Sequence, residues 1–174
     1  MKLKGTNINL RKLKKSDASS ITKYADDMDI ARYTTLPHPY TGAEEFIKKT
    51  QKGLRKKTGY ELGIEYKGEI VGMMGLSSID KTNKNAEFGY WLGKPFWRKG
   101  FTFEAAKLMI EFGFKELELE RIHAKVLTPN IASAKLLEKL GFKHEGLLRR
   151  RMIRFGTWYD TYVHSMLKEE FEKK

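Results

Sequence analysis

Seven stretches of the chain alternate apolar with polar side chains or are rich in β-branched and aromatic residues, which predicts β-strands. These are Ile8–Leu13, Tyr60–Tyr66, Glu69–Ile79, Glu87–Leu92, Arg121–Leu127, Phe142–Ile153 and Trp158–Leu167. The Lys67-Gly68 pair predicts a tight hairpin turn, and Arg154–Thr157 predicts the turn of a second hairpin. Three antiparallel strands in succession therefore lead the chain to Leu92.

Four other stretches place apolar residues three and four positions apart, the spacing of a helix with one buried face. The predicted helices start near Ser16-Asp17, run from Thr41 to about Lys57, run from Phe101 to about Glu116, and run from the N-cap Asn130 through Leu140. Gly141 follows the last of them as a C-cap, because glycine readily adopts a left-handed conformation. Lys168–Lys174 is predicted to be a polar tail.

The segment Tyr33–Tyr40 contains two prolines, which remove main-chain donors and favour extended neighbours. It is therefore predicted to be an irregular loop. Loops of this kind often line a substrate site. The alternative is a plain connection between two helices.

Composition restricts the class of protein. The 174 residues are 40% hydrophobic and include no cysteine. They predict a single domain over 1–174 with a full core, and they exclude disulfides, thiolate metal sites and a cysteine nucleophile. No apolar run approaches a membrane span, so we expect a cytoplasmic protein without membrane partners.

The formal net charge is +12. Such a surface attracts polyanions at long range, and these include nucleic acid, the ribosome and phosphorylated cofactors. Charge alone does not choose among them.

The junction after Glu87–Leu92 carries the strongest signal for a ligand. A Gly/Pro turn separates this strand from the helix that begins at Phe101. The first turn of a helix offers N–H groups without internal partners, so it binds anions, and Gly100 leaves room for a phosphate to approach. Arg98, Lys99 and Lys94 are expected to add positive charge around the same point. The alternative is an ordinary turn.

Two motifs resemble the GNAT N-acetyltransferase superfamily. Trp97-Arg98-Lys99-Gly100-Phe101-Thr102 resembles its pyrophosphate loop, with Trp and Thr in place of the usual first and last residues. These departures are similar to the RimJ/RimL branch of ribosomal-protein N-terminal acetyltransferases. Asn130-Ile131-Ala132-Ser133 and the later Lys139-Leu140-Gly141-Phe142 resemble a second family motif. The resemblance implies an α/β fold, with a mixed, mostly antiparallel twisted sheet of about seven strands, splayed between the Glu87 and Arg121 strands and flanked by helices on both faces.

The resemblance also implies acetyl-CoA as cofactor and no metal. The residues implied to bind it are Trp91, Leu92, Trp97, Arg98, Lys99, Gly100, Phe101, Thr102, Asn130 and Ser133. The four histidines show neither metal-ligand spacing nor a recognisable triad.

Acetyl transfer needs a polarised thioester carbonyl, a stabilised leaving thiolate and a neutral amine. Backbone N–H groups near Leu92 are expected to serve the carbonyl. Many relatives use a Tyr to protonate the thiolate, and Leu137 occupies that position here. Ser133 is then the predicted donor to sulfur, and Glu87 is the predicted base. The alternatives are a serine that bonds to backbone and a solvated strand glutamate.

The acceptor is predicted to be an amine, namely a protein N-terminus. The alternatives are a small amine or polyamine, for which Asp26, Asp27 and Asp29 would form an acidic mouth, and a non-catalytic ribosome- or nucleic-acid-binding module. Specific nucleic-acid binding is disfavoured because Trp and Phe cluster at the cofactor loop instead of interleaving with arginine along an exposed strand. Arg149–Arg151 are interpreted as a solvated face, with attraction of an acidic substrate as the alternative. Ribosome association and oligomeric state stay open.

Overall fold

A computed structural model describes residues 1–173, and the strands within that range form one sheet. The strands are β1 Lys2–Lys4, β2 Asn9–Arg11, β3 Tyr60–Tyr66, β4 Glu69–Asp80, β5 Asn85–Leu92, β6 Arg121–Leu127, β7 Lys143–Arg154 and β8 Thr157–Leu167. Their spatial order is β1-β2-β3-β4-β5-β6-β8-β7. The described sheet thus has eight strands instead of about seven, because β1 pairs with β2 at the far edge.

The helices are α1 Ala18–Ala25, α2 Met28–Tyr33, α3 Ala43–Lys56, α4 Phe101–Lys115, α5 Ile131–Leu140 and α6 Lys168–Glu172. Two of these helices, α2 and α6, were not predicted from the sequence. Residues before the proline-rich loop form α2, which Asp27 caps by accepting hydrogen bonds from two amides. Most of the predicted polar tail forms helix α6, in which the Glu170 side chain accepts a hydrogen bond from the Leu167 N–H. Lys174 lies outside the described residues. Within 1–173, no helix is both long and apolar enough to cross a membrane.

Helices pack against both faces of the sheet, as predicted. On one face, Val71 and Phe88 pack with Ala105 and Met109 of α4. On the other face, β-strand residues join the buried side chains of α1 and α3 in a second core that includes Ile70, Met73, Trp91, Ile21 and Ile47. Alternation along the strands produces this division, and a bulge at Val71 shifts it by one residue, so that Ile70 and Met73 share a face.

The sheet opens between β5 and β6, the only parallel pair among its described strands. Asn85, Ala86 and Glu87 pair with Arg121, Ile122 and His123. The remainder of β5, from Phe88 to Leu92, pairs with no strand on that side among the described residues. The predicted splay is therefore present, and it creates a gap at the centre of the sheet.

Candidate active site

Gly100 forms the N-cap of α4. Its φ of +79° is left-handed, and α4 has no side-chain cap at this end. A Cβ built on Gly100 would meet no atom within 4 Å. The space beside Gly100 is therefore open and the first turn of α4 has no side-chain cap, the arrangement in which a helix N-terminus binds phosphate.

Two of the three basic residues predicted beside Gly100 are free to contribute charge. Arg98 and Lys99 are exposed, and the Lys99 ammonium lies 5.4 Å from the centre of the Phe96 ring. Lys94 differs from expectation, because its ammonium bonds to Asp29 Oδ2 at 2.5 Å. The positive field at the loop thus comes from Arg98, Lys99 and the helix terminus.

The aromatic residues in and before the loop contact other parts of the protein. Trp97 is 41% exposed, and its indole N–H donates to the Leu92 carbonyl at 2.6 Å. Phe101 is buried, and its ring centre lies 4.7 Å from that of Tyr66. Thr102 is half-buried in the first turn of α4, and the Trp91 side chain packs in the α1/α3 core. Trp91 and Phe101 therefore position the loop and leave only their main chains for a ligand.

Two amides of β5 face the gap. The Gly93 N–H donates to the Val71 carbonyl at 2.8 Å, in register with the Leu92–Gly72 and Tyr90–Met74 pairs. Hydrogen-bonded and non-hydrogen-bonded pairs alternate in an antiparallel ladder, so the N–H groups of Leu92 and Tyr90 point away from β4. They point into the splay, where an N–H donor can stabilise a carbonyl oxygen that gains negative charge.

Helix α5 brings Asn130 and Ser133 together. Asn130 Oδ1 accepts a hydrogen bond from the Ser133 N–H at 3.2 Å, which caps the helix as predicted. Leu137, one turn later, is completely buried and carries no donor. The Ser133 hydroxyl makes no bond to main chain within residues 1–173, so the interpretation of Ser133 as a serine bonded to backbone has no support here.

Tyr90 is a site residue that the sequence reasoning missed. Its hydroxyl is buried and has no geometrically good hydrogen bond among the described residues. Burial raises the pKa of Tyr90 to about 12, and the neighbouring Ser133 side chain opposes part of that rise. Strand alternation puts Tyr90 on the face of Phe88 and Leu92, but no sequence pattern reveals that α5 places Ser133 beside it.

Glu87 lies on the opposite face of β5, where the splay begins. Its Oε2 accepts a hydrogen bond from Lys125 Nζ at 2.7 Å and lies 3.8 Å from His123 Nε2. Burial lowers the pKa of His123, partly opposed by the Glu87 charge. Glu87 is thus one member of a half-buried charged cluster and not the solvated strand residue of the alternative.

The aspartates predicted to form an acidic mouth are already engaged. Asp26 Oδ1 accepts the Tyr40 N–H at 2.8 Å and lies 2.8 Å from His38 Nδ1. Asp27 caps α2, and Asp29 pairs with Lys94. These contacts hold α2 and the loop after it against the cofactor loop.

A splayed sheet with an uncapped glycine helix terminus is the arrangement expected of an acyl-CoA-dependent transferase. The family described as "Acetyltransferase (GNAT) domain" matches residues 7–143, and the chain belongs to this family. GNAT enzymes use acetyl-CoA, and this protein is accordingly an N-acetyltransferase.

Similar proteins agree with this assignment. The chain is 34% identical to "Uncharacterized N-acetyltransferase p20" of Bacillus licheniformis, over 94% of each chain. It is 34% identical to "Putative ribosomal N-acetyltransferase YdaF" of Bacillus subtilis, over 76% of this chain and 72% of that one. It is 27% identical to the "Spermidine N(1)-acetyltransferase" of Escherichia coli K12, over 82% and 76%. A solved structure described as "Crystal structure of Probable acetyltransferase" superposes with a TM-score of 0.90 at 29% identity, over 98% of each chain.

The residues present fit acetyl-CoA. The space beside Gly100, which a Cβ would occupy, and the uncapped first turn of α4 suit a pyrophosphate. The Asn130 side-chain amide nitrogen has no partner in the part of the chain that the structure describes, so it is free to bond the pantetheine arm. No group of His, Asp and Glu in residues 1–173 is arranged to hold a metal ion.

Proposed function

We propose that this protein transfers acetyl directly from acetyl-CoA to the α-amine of a protein N-terminus, as a member of the RimJ/RimL-type branch. Direct transfer is favoured because the sequence contains no cysteine to carry an acyl group. The choice of acceptor rests chiefly on charge: the chain carries a net charge of +12, and Asp29, one of the three aspartates that could attract a polycation, is already paired with Lys94.

Each residue of the site has a distinct role in this proposal. Acetyl-CoA supplies the thioester whose acetyl group is transferred. The N–H group of Leu92 stabilises the carbonyl oxygen, and Ser133 Oγ holds the proton that stabilises the departing sulfur. Glu87, on the other face of β5, takes the proton from the amine, directly or through water.

The amine itself favours a terminal acceptor. An α-amino group has a reference pKa of about 7.7–8.0, whereas that of a lysine-type amine is about 10.4. Near neutral pH the α-amine is therefore about two to three orders of magnitude richer in the nucleophilic form. A site whose base already bonds to Lys125 gains most from an acceptor that needs little deprotonation.

Names among the relatives support two acceptor classes. YdaF is named as a ribosomal N-acetyltransferase, and the Escherichia coli relative as a spermidine acetyltransferase. The net charge of +12 repels polycations and attracts acidic polypeptides, which favours the first class. Spermidine is the second candidate because of that relative.

Competition between the two acceptor classes tests the proposal. Spermidine and a peptide with a free N-terminus and no lysine are supplied together, and each acetylated product is quantified by mass spectrometry. We expect a higher kcat/KM for the peptide. A higher kcat/KM for spermidine that is lost when Asp26, Asp27 and Asp29 are changed to Asn would overturn the choice of acceptor.

A further inference from the structure

Helix α3 carries a run of positive charge on its solvent face. Residues 46–57 include no acidic residue, and six of these twelve residues are basic. The six basic side chains are all exposed, and they are Lys48, Lys49, Lys52, Arg55, Lys56 and Lys57. Helical spacing places those from 48 to 56 on one stripe, which lies opposite the buried side chains of Ala43, Ile47 and Thr50.

Three further lysines lie beside this stripe. Gln51 Nε2 donates to the Leu13 carbonyl at 3.0 Å, so the segment before α1 is held against α3. Lys12, Lys14 and Lys15 of that segment are exposed. Together with the six basic residues of residues 48–57, they form what we call the α3 surface.

Ion pairs do not neutralise the α3 surface. None of its nine basic side chains forms an ion pair within residues 1–173. Asp17, next to the three lysines in sequence, is already paired with the buried Arg11 at 2.7 Å. Glu61 of β3 is half-buried, and burial raises its pKa, partly opposed by the charge of Lys49. The surface therefore presents its positive charge to the solvent.

The cofactor does not account for this charge. α3 packs on the face of the sheet that carries Ile70 and Met73. α4, whose first turn is the predicted phosphate site, packs on the other face. The sheet thus separates the α3 surface from the cofactor loop.

The absence of exposed apolar side chains restricts the kind of partner. No large apolar side chain that is exposed in residues 1–173 belongs to α3 or to residues 12–15. A helix that binds a membrane inserts an apolar face, and a protein interface is centred on aromatic or apolar anchors, so the α3 surface suits neither partner. Single-stranded nucleic acid needs aromatic side chains on which its bases stack. A duplex can be bound by cations alone, because it presents regular rows of phosphates.

We propose that the α3 surface binds the phosphate backbone of a nucleic-acid duplex without reading its sequence. The inference is independent of the acceptor in the proposed function. Lysine suits this role, because each ammonium is a compact charge on a flexible stem and can replace a counterion at a phosphate. RNA and DNA share this backbone chemistry, and the test compares them.

The salt dependence of binding reports how many phosphates the protein contacts. Fluorescence anisotropy measures the dissociation constants of labelled RNA and DNA duplexes, each in one sequence and in a shuffled sequence, at several salt concentrations. We expect the two sequences of each duplex to bind equally, with Kd on the order of 10⁻⁴–10⁻⁶ M at physiological salt. The kind of duplex that binds more tightly identifies the source of the phosphates.

Two variants remove charge from separate parts of the α3 surface. K48Q/K52Q/K56Q keeps side chains that favour a helix, and it should lower the slope of log K against log salt by about three. It should also weaken duplex binding at least about tenfold at low salt. K12Q/K15Q, outside the helix, should lower the slope by about two, and it tests the surface even if the first variant does not fold.

A charge-matched variant provides the control. K81Q/K84Q/K107Q removes three exposed lysines from the β4–β5 turn and from α4, and it should leave both the slope and the affinity unchanged. Thermal denaturation establishes that each variant is folded. Saturating coenzyme A should not displace the duplex from wild type, because the cofactor loop lies on the other face of the sheet.

Several results would overturn the proposal. These are no binding of wild type to either duplex, equal slopes and affinities for wild type and both α3-surface variants, and an equal loss in the control variant. Displacement of the duplex by coenzyme A would assign the binding to the cofactor loop instead. Tighter binding to vesicles that contain phosphatidylserine, or to polyglutamate, than to either duplex would assign the surface to a membrane or to an acidic polypeptide.

Discussion

Backbone conformation at Gly100 determines whether an anion can approach the first turn of α4. The residue needs a positive φ, and the space into which a Cβ would project is empty of protein atoms. A branched side chain therefore meets nothing in the protein but occupies the space beside the N–H donors. The role of Gly100 is thus separable from packing.

Gly100→Val should weaken the binding of coenzyme A by at least about tenfold, because its Cβ substituents fill the phosphate position. Isothermal titration calorimetry measures the dissociation constant. Gly68→Val is a matched control, since Gly68 has a φ of +87° and equally open surroundings but lies in the β3–β4 turn. Equal affinities of wild type and Gly100→Val would refute the assignment of the loop, whereas a loss of stability shared by both variants reflects backbone strain alone.

The neighbouring hydroxyls of Tyr90 and Ser133 make a second prediction at this scale. Ser133→Ala should lower kcat about tenfold with an unchanged dissociation constant for coenzyme A, because one hydrogen bond to developing charge is lost. Tyr90→Phe should lower kcat by a smaller factor, since the Tyr90 hydroxyl lies beside the Ser133 side chain and is not the predicted donor to sulfur. The double variant should be no slower than Ser133→Ala, because the two hydroxyls act as one unit.

Rapid-quench measurement of the chemical step provides the rates for this cycle. Tyr60→Phe is the control, as Tyr60 packs against Phe112 in α4 and not against α5. If the effects of Tyr90→Phe and Ser133→Ala multiply in the double variant, the two residues act independently. If kcat is unchanged in Ser133→Ala, Ser133 has no part in the reaction.

At the scale of elements, Glu145 joins three strands beyond the splay. It accepts two hydrogen bonds from Arg121 of β6, at 2.7 and 2.5 Å, and one from Ser165 of β8, at 2.6 Å. These bonds lower the pKa of Glu145 to about 2. The contact thus links β6, β7 and β8, which form the half of the sheet beyond the splay.

Glu145→Gln should lower the free energy of unfolding by about 1 kcal/mol near neutral pH, a value reduced for the solvent exposure of the pair. The folded-state pKa lies below the ordinary value of about 4.3, so the contribution is complete above that value and is lost as pH falls toward 2. Urea denaturation at several pH values measures it. The difference between wild type and variant should shrink in that acidic range; a difference that is constant with pH would contradict the account. Glu116→Gln, at an exposed position, is the control.

Local sequence patterns predicted the strands and helices with strong hydrophobic periodicity. The short strands and helices were not predicted. Arg121–Leu127 was predicted with its observed bounds, because alternation over a whole strand is unambiguous. β1 has three residues and α2 has six, too few for a period to emerge. The Lys168–Glu172 helix is stabilised by contacts at its ends and packing of Phe171 on Phe114, which composition does not reveal.

The features of the candidate site also divide into those that local sequence predicts and those that it does not. The cap of Asn130 and the left-handed Gly100 follow from local chemistry and were predictable. The meeting of Tyr90 with Ser133, the Lys125 bond to Glu87 and the Lys94 bond to Asp29 join residues that are distant in sequence. Such contacts depend on how the strands and helices are arranged, which no single stretch encodes.

At the scale of the whole molecule, the positive charge and the splayed sheet act on different parts of the reaction. The net charge of +12 raises the local concentration of acidic acceptors and of the phosphorylated cofactor. Two amides of β5 point into the gap between β5 and β6. In the proposed function, Ser133 and Glu87 act at this gap from opposite faces of β5. In the proposed function, the acceptor amine is the one component that is selected by its pKa.

The site of acetylation on one peptide tests this central claim most directly. The peptide carries a free N-terminus and a single internal lysine, and tandem mass spectrometry locates the acetyl group after limited reaction with acetyl-CoA. We predict acetylation at the α-amine, with the modified lysine at about one hundredth of that level or less, in line with the difference in reference pKa. Acetyl found chiefly on the lysine, or on neither amine while spermidine is acetylated, would contradict the account.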